Sequence, residues 1–387
     1  MIKIVTLIGA RPQIIKAAAL SRIITSIYSD RITEVLIHTG QHYDLTMSQV
    51  FFDELELPKE KYNLEVGSGT HAQQTARMLL GIEDILVKER PDCLLVYGDT
   101  NSTLAGALTA AKIHLPVIHV EGGVRSYNKS YPEEINRVIC DHLSTLIFVP
   151  TLSGMKNLQR EGFSEDPKPP FQIDNPKVYH CGDIMYDNSL YFAEKAAYKS
   201  SVLKDLDLKN KQYGLLTIHR ANNVDDPGTL ASLFKTFDQL TIDNQLLLVI
   251  PIHPRTMKAI ENNPDQDLFD KVRRNSLLKI IPPASFFDMI NLEREATIIF
   301  TDSGGVQKEA FYFEKPCVIL SDETAWVELV ESGTAILTGS DETKIKTAYQ
   351  SLMSKRKELK FPPIFGDGHA ASFICERIIE NFDRTRK

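Results

Sequence analysis

Short runs of β-branched and aliphatic residues recur along this chain, each closed by glycine or a polar side chain and followed by a longer amphipathic segment. A strand that is apolar along its whole length is buried on both faces, and helices connect parallel neighbours. The alternation therefore predicts parallel α/β units. In the first half the predicted strands are KIVTLIG, EVLIHTG, CLLVYGD, PVIHVEG and TLIFVPT, with helices such as QQTARMLLGIEDILVKER between them. The stretch richest in proline and polar residues, EGFSEDPKPPFQIDNPKVYHCG, follows and is read as the crossing between domains. The alternation then restarts with YGLLTIHR, QLLLVIPIH, LLKIIPP, ATIIFTDSGG, KPCVILS and AILTG. Neither half repeats the other at a fixed period. The predicted architecture is two doubly wound domains of similar size facing each other across a cleft.

Composition narrows the function classes. The chain has 387 residues, 43% hydrophobic and 25% charged, enough for two domains with proper cores. Its net charge of −7 is spread without a Lys/Arg block, which argues against a nucleic-acid partner. The five cysteines form no CxxC pair and read as reduced core residues of a cytoplasmic protein. No apolar run approaches the length of a membrane span or fits a secretory leader, so no membrane association is expected. No His or Cys pair has the spacing of a metal site, and none is expected.

In an open parallel sheet, ligands bind beyond the carboxyl ends of the strands, so polar residues that directly follow apolar runs are the ones to weigh. GARPQIIK places Arg11 in a glycine turn and Lys16 early in the next helix, where two cations and the helix amides suit a phosphate. The Walker A spacing is absent. Asp99 in VYGDTNST and Glu121 in IHVEGGVRS each end a strand, and Glu133 and Glu134 follow Pro132 at a helix start. A lone carboxylate is most often a cap or a salt-bridge partner, but several in one crevice suit general acid and base chemistry. In the second half His219 and Arg220 close LLTIHR, and His253 closes VIPIH as a weaker candidate. Ser303, Gly304 and Gly305 lead from a strand into a helix whose first amides can receive a phosphate. Glu309, further along that helix, suits the hydroxyls of a ribose.

Taken together, GARPQIIKAA, HTGQH, GDTNSTLAGALTA, HVEGGVRS, PEEINR, TIHR, TDSGGVQKEA and GDGHAA resemble the UDP-N-acetylglucosamine 2-epimerase family, non-hydrolysing branch, in order over essentially the whole chain. The resemblance implies a glycosyltransferase-B type fold. Residues 1–172 would form a Rossmann-like domain carrying the catalytic carboxylates and 173–366 a Rossmann-like UDP-binding domain, with a C-terminal helix in 367–387 packing back on the first. It also implies a homodimer, a UDP-sugar substrate, and no metal or redox cofactor, with UDP itself retained as the intermediate. By similarity Asp99, Glu121 and Glu133 match the catalytic acids and His219 the histidine that stabilises departing UDP. Arg11, Lys16, Ser303, Gly304, Gly305 and Glu309 match UDP-binding positions, while Gln41, His42 and Arg77 match regulatory or substrate contacts.

The implied activity is C2 epimerisation of a UDP-2-acetamido sugar, through elimination of UDP to a 2-acetamidoglucal and re-addition, for surface polysaccharide precursors. Two departures point to an alternative substrate. TAWVE stands at Thr324 to Glu328 where TERPE is common in the family, and Ala221 stands where a second arginine is common. Both are similar to the branch acting on UDP-2,3-diacetamido-2,3-dideoxy-glucuronate. Further alternatives are a hydrolysing epimerase, a glycosyltransferase of the same fold, and a nucleotide-sugar sensor without turnover.

Overall fold

The structure is a computed structural model and describes residues 1–41, 52 and 54–383. The chain divides into two compact units, one formed by Met1–Asn188 with the chain from Pro363 onward, the other by Ser189–Pro362.

The first unit is built on seven parallel strands: β1 (Ile2–Ile8), β2 (Ile32–His38), β3 (Tyr62–Asn63), β4 (Cys93–Tyr97), β5 (Val117–Val120), β6 (Leu146–Val149) and β7 (Lys177–His180). Their order in the sheet is 3-2-1-4-5-6-7. Every residue of β4 is fully buried, as a central strand covered on both faces requires. The covering helices are α1 (Arg11–Ile27), α2 (His71–Glu89), α3 (Asn101–Lys112), α4 (Pro132–Leu143) and α5 (Leu152–Arg160). Thr70 and Thr100 start α2 and α3 by accepting from the amides of Gln73 and Thr103. The start of α3 lies so close to the end of β1 that a Cβ on Gly9 would sit 2.1 Å from both the Ser102 and Thr39 hydroxyls. Only glycine fits there.

The sequence misses β3 and β7. The first has two residues, and β7 lies inside the proline-rich stretch read as a domain crossing. It pairs with β6 all the same, which keeps the segment before α6 (Ile184–Lys199) with the first unit.

The second unit repeats the order with β8 (Tyr213–Thr217), β9 (Leu247–Pro251), β10 (Leu278–Ile281), β11 (Ile298–Thr301), β12 (Cys317–Ile319) and β13 (Ala335–Leu337), arranged 10-9-8-11-12-13. Helices α7 (Pro227–Asn244), α8 (Phe286–Glu295), α9 (Gly304–Tyr312) and α10 (Glu342–Ser354) flank this sheet. Phe237 of α7 meets Phe300 of β11 edge to face at 5.1 Å, and Tyr349 of α10 stacks on the same ring. The predicted α/β class and both doubly wound sheets are present.

The last helix, α11 (Ala370–Phe382), packs on α1 in the first unit. Its start is fixed by the Asp187 carboxylate, which accepts from the amides of Ala370 and Ala371 at 3.1 and 2.7 Å. Ile374 and Ile378 of this helix are fully buried.

Candidate functional site

In both sheets the strand order reverses beside the first strand, between β1 and β4 and between β8 and β11. The chain leaves those strands in opposite directions and opens a crevice at their carboxyl ends. The candidate residues gather at these two points.

In the first unit β1 runs into Arg11, the exposed first residue of α1. Gln13 ties the two sides of the switch point together. Its carbonyl accepts from Gly9 and Ala10 after β1, and its amide donates to the Tyr97 carbonyl of β4 and the Thr103 hydroxyl. One turn further on, Lys16 is buried and its ammonium lies 2.6 Å from the Glu121 carboxylate. Lys16 therefore meets a carboxylate at the end of β5.

Asp99 follows β4 and meets Arg137 of α4 at 2.5 Å, while Asn136 donates to the Asp99 carbonyl. Burial opposes the charge on Arg137, but Asp99, Glu121 and Glu134 raise its pKa further. Glu133 and Glu134 diverge. Glu133 is exposed on the first turn of α4. Glu134 is buried and accepts from the amides of Ser126 and Tyr127 at 2.9 and 2.8 Å. Burial works against its charge, yet those amides, the Ser126 hydroxyl and Arg137 hold it below the usual carboxylate range. Glu134 is a structural carboxylate and Glu133 presents itself outward.

Glu121 stands at φ 71°, a left-handed conformation that a residue with a Cβ adopts at a cost of about 1–3 kcal/mol. The amides of Glu121 and Gly122 both donate to the Phe148 carbonyl of β6, which keeps the turn in that form. Gln41 accepts from the amide and hydroxyl of Ser102 at 3.1 and 2.7 Å, at the first turn of α3. Arg77 donates weakly to the Val66 carbonyl at 3.4 Å. His42 lies outside the described residues.

In the second unit the organising residue is Asp302, fully buried directly after β11. Its carboxylate accepts from the amides of His219 and Arg220 and from the Asn223 side chain, and lies 3.2 Å from His219 Nδ1. Burial raises its pKa, but these partners, His219 first, prevail and hold it below the usual range. With Nδ1 turned to a carboxylate, Nε2 is the nitrogen His219 offers to a ligand. His253 stands beside it, ring centroids 5.6 Å apart, and its Nδ1 accepts from the Arg255 amide.

Ser303 caps α9, accepting from Val306, so the Ser-Gly-Gly turn places the first amides of that helix at the switch point. Around Gly304 the neighbours are donors, with Trp326 Nε1 3.7 Å and Arg220 Nη2 3.8 Å from where a Cβ would stand. An anion fits among them. Glu309 follows on α9 and hydrogen-bonds the buried Glu293 of α8, whose pKa burial and Glu309 push well above the usual carboxylate range.

The structure thus unites Asp99, Glu121 and Lys16 at one switch point, and His219 with Ser303 to Gly305 at the other. Gln13, Arg137, Asp302 and Glu293 were missed. Their roles lie in partners distant in sequence, whereas the residues that carried a signal stand directly after strands or early in the helices that follow them. No group of His, Cys, Asp or Glu able to hold a metal occurs among the described residues.

Comparison with known proteins agrees over the length of the chain. The profile of the UDP-N-acetylglucosamine 2-epimerase family matches residues 26–379. A Methanococcus maripaludis protein described as a UDP-N-acetylglucosamine 2-epimerase homolog is 43% identical over 377 residues, covering 97% of this chain and 98% of the relative. The UDP-2,3-diacetamido-2,3-dideoxy-D-glucuronate 2-epimerase of Pseudomonas aeruginosa is 41% identical over 375 residues, with coverage of 97% and 98%. Among solved structures, Methanocaldococcus jannaschii UDP-GlcNAc 2-epimerase in complex with UDP-GlcNAc and UDP matches with a TM-score of 0.85 at 38% identity, covering 98% of this chain and 100% of that one.

Proposed function

The chain belongs to the UDP-N-acetylglucosamine 2-epimerase family, and from that premise we propose that it is a cytoplasmic, non-hydrolysing isomerase that inverts C2 of a UDP-2-acetamido sugar. The observation that carries the reading is the placement of Asp99 and Glu121 at the ends of adjacent strands, each held by a cation.

Inversion needs a base on one face of C2 and an acid on the other. A carboxylate takes the C2 proton; the electron pair of that bond forms the C1–C2 double bond as the C1–O bond breaks, and its pair leaves with UDP. The 2-acetamidoglucal then accepts a proton on the opposite face of C2 as the UDP oxygen returns to C1. Asp99, Glu121 and the exposed Glu133 supply these proton transfers. His219, oriented by Asp302, meets the charge that develops on the departing diphosphate from Nε2. Ser303 to Gly305 hold the phosphates and Glu309 the ribose, with Arg11 as a further phosphate cation. UDP stays bound between the two half-reactions, so no other cofactor is required.

TAWVE and Ala221 support a second reading, in which the sugar is UDP-2,3-diacetamido-2,3-dideoxy-glucuronate, as for the Pseudomonas relative. The product would serve surface polysaccharide synthesis in either case. A homodimer is proposed from the resemblance. An apolar groove of about 380 Å³ between α2, α3 and α4 in the first unit, together with exposed Leu80 and Val87 on α2 and Ile139 on α4, supports it.

The test is incubation in deuterated water with each UDP-sugar in turn. Deuterium at C2 is expected with at least one of them, and the better substrate identifies the branch. No incorporation with either, by protein that binds UDP, overturns the epimerase reading.

A further inference from the structure

His119, on β5, is fully buried and takes no part in the chemistry above. Its Nδ1 lies 2.7 Å from Asp141 Oδ1, and its Nε2 lies 2.8 Å from the Gly98 carbonyl oxygen. Neither partner has a proton to give. One is a backbone carbonyl. The other is a carboxylate that burial would neutralise, but that His119, Arg125 and the Gly123 amide keep ionised. With an acceptor on each side, the ring can donate to both only when each nitrogen carries a proton.

What this ring joins is specific. Gly98 immediately precedes Asp99. The second oxygen of Asp141 accepts from the Gly123 amide at 3.0 Å and from Arg125 at 2.7 Å, and Gly123 lies two residues after Glu121. The chain from the Gly98 carbonyl through His119 and Asp141 to the Gly123 amide thus runs beneath both turns that carry the strand-end carboxylates. There is no slack in it, because a Cβ on Gly122 would fall 2.6 Å from Asp141 Oδ1. The Glu121 turn needs such bracing, since its left-handed backbone persists only where its surroundings fix it.

We propose that His119 and Asp141 are a positioning couple that sets the Asp99 turn against the Glu121 turn, and that the doubly protonated state of His119 is what keeps both turns in register. A neutral imidazole would have to release one of them. Arg125 and Cys140 stand beside Asp141, Asp99 also acts on Cys140, and the Lys16–Glu121 pair lies against Gly98, whose carbonyl His119 meets. This role rests on the epimerase reading, since it concerns delivery of a proton to each face of C2.

The experiment has two arms. In the first, Asp141→Asn and wild type are compared for C2 deuterium exchange, epimer formation and escape of the glucal with UDP. Exchange in the variant should fall by about a hundredfold, the cost of a small misplacement of reacting groups, with UDP affinity unchanged. The fraction of turnovers ending in released glucal should rise, a change that a mere loss of folded protein does not produce. In the second arm, wild-type protein with labelled histidine is followed by 15N NMR near neutral pH. Both nitrogens of one buried ring should carry a proton, and that resonance should vanish in His119→Gln. A singly protonated His119, or an Asp141→Asn enzyme that partitions like wild type, overturns the proposal. If wild type itself shows no exchange with either sugar, the epimerase reading has failed instead.

Discussion

The two clusters of polar residues occupy the same place in two sheets of the same strand order, yet different chemistry holds them together. In the first unit, Asp99, Glu121 and Asp141 are each met by a cation, respectively Arg137, Lys16 and Arg125. In the second, the proposed anion site would draw on helix amides with Arg220 and Trp326 at their side, and the buried carboxylate Asp302 lies 3.2 Å from His219. On the proposed reading, the half that moves protons needs charged groups held at fixed distances, and the half that holds the anion needs donors already pointed at it.

The sharpest way to break this division is Asp99→Asn. Exchange at C2 should fall by about a thousandfold while UDP affinity stays within about twofold, as for loss of a general acid or base. A large loss of UDP binding, measured by calorimetry, would mean the first unit also holds the nucleotide. Next is Asp302→Ala, which strips the acceptor from the amides of His219 and Arg220. Leaving one such buried donor unmet costs about 1–3 kcal/mol, so the melting temperature should fall and turnover with it. If turnover is unchanged, His219 needs no aiming.

A smaller contrast separates the adjacent glutamates. Glu134→Gln should cost about 1–3 kcal/mol in denaturant titration, because an amide cannot accept from Ser126 and Tyr127 as the carboxylate does. Glu133→Gln, at an exposed position, should change stability by less than about 0.5 kcal/mol while lowering exchange. The reverse pattern would exchange their roles.

The smallest effect concerns pH. Glu293 is raised above its unfolded value, so the folded protein binds its proton more tightly than the unfolded chain does. Its stabilising contribution is complete below the unfolded pKa and is lost as pH rises through the folded one. UDP affinity should decline over the same rise, as two charged carboxylates force Glu309 away. Glu293→Gln should flatten both profiles, and an undiminished alkaline decline in the variant would show that Glu293 is not the source.

How much was legible follows from where the information lies. The strands could be read because their apolar runs end sharply, and Asp99, Glu121 and Ser303 because they stand directly after such ends. The pair β3 and β7 left no mark, being short and flanked by polar and proline residues. His219 was visible at the end of its strand, but its partner Asp302 lies 83 residues away, and nothing local to either names the other. Asp141 and Arg137 read as ordinary helix surface charges until α4 is laid against the sheet.

The last helix has a consequence for the order in which the molecule can mature. The second unit is continuous in sequence, whereas the first waits for Ala370 and Ala371 to reach Asp187 and for Ile374 and Ile378 to fill its core. On the ribosome all of the second unit emerges before that segment does. The half that begins the chain is therefore the later one to be completed, and trimming what reads as a tail would leave the older-made half unfinished.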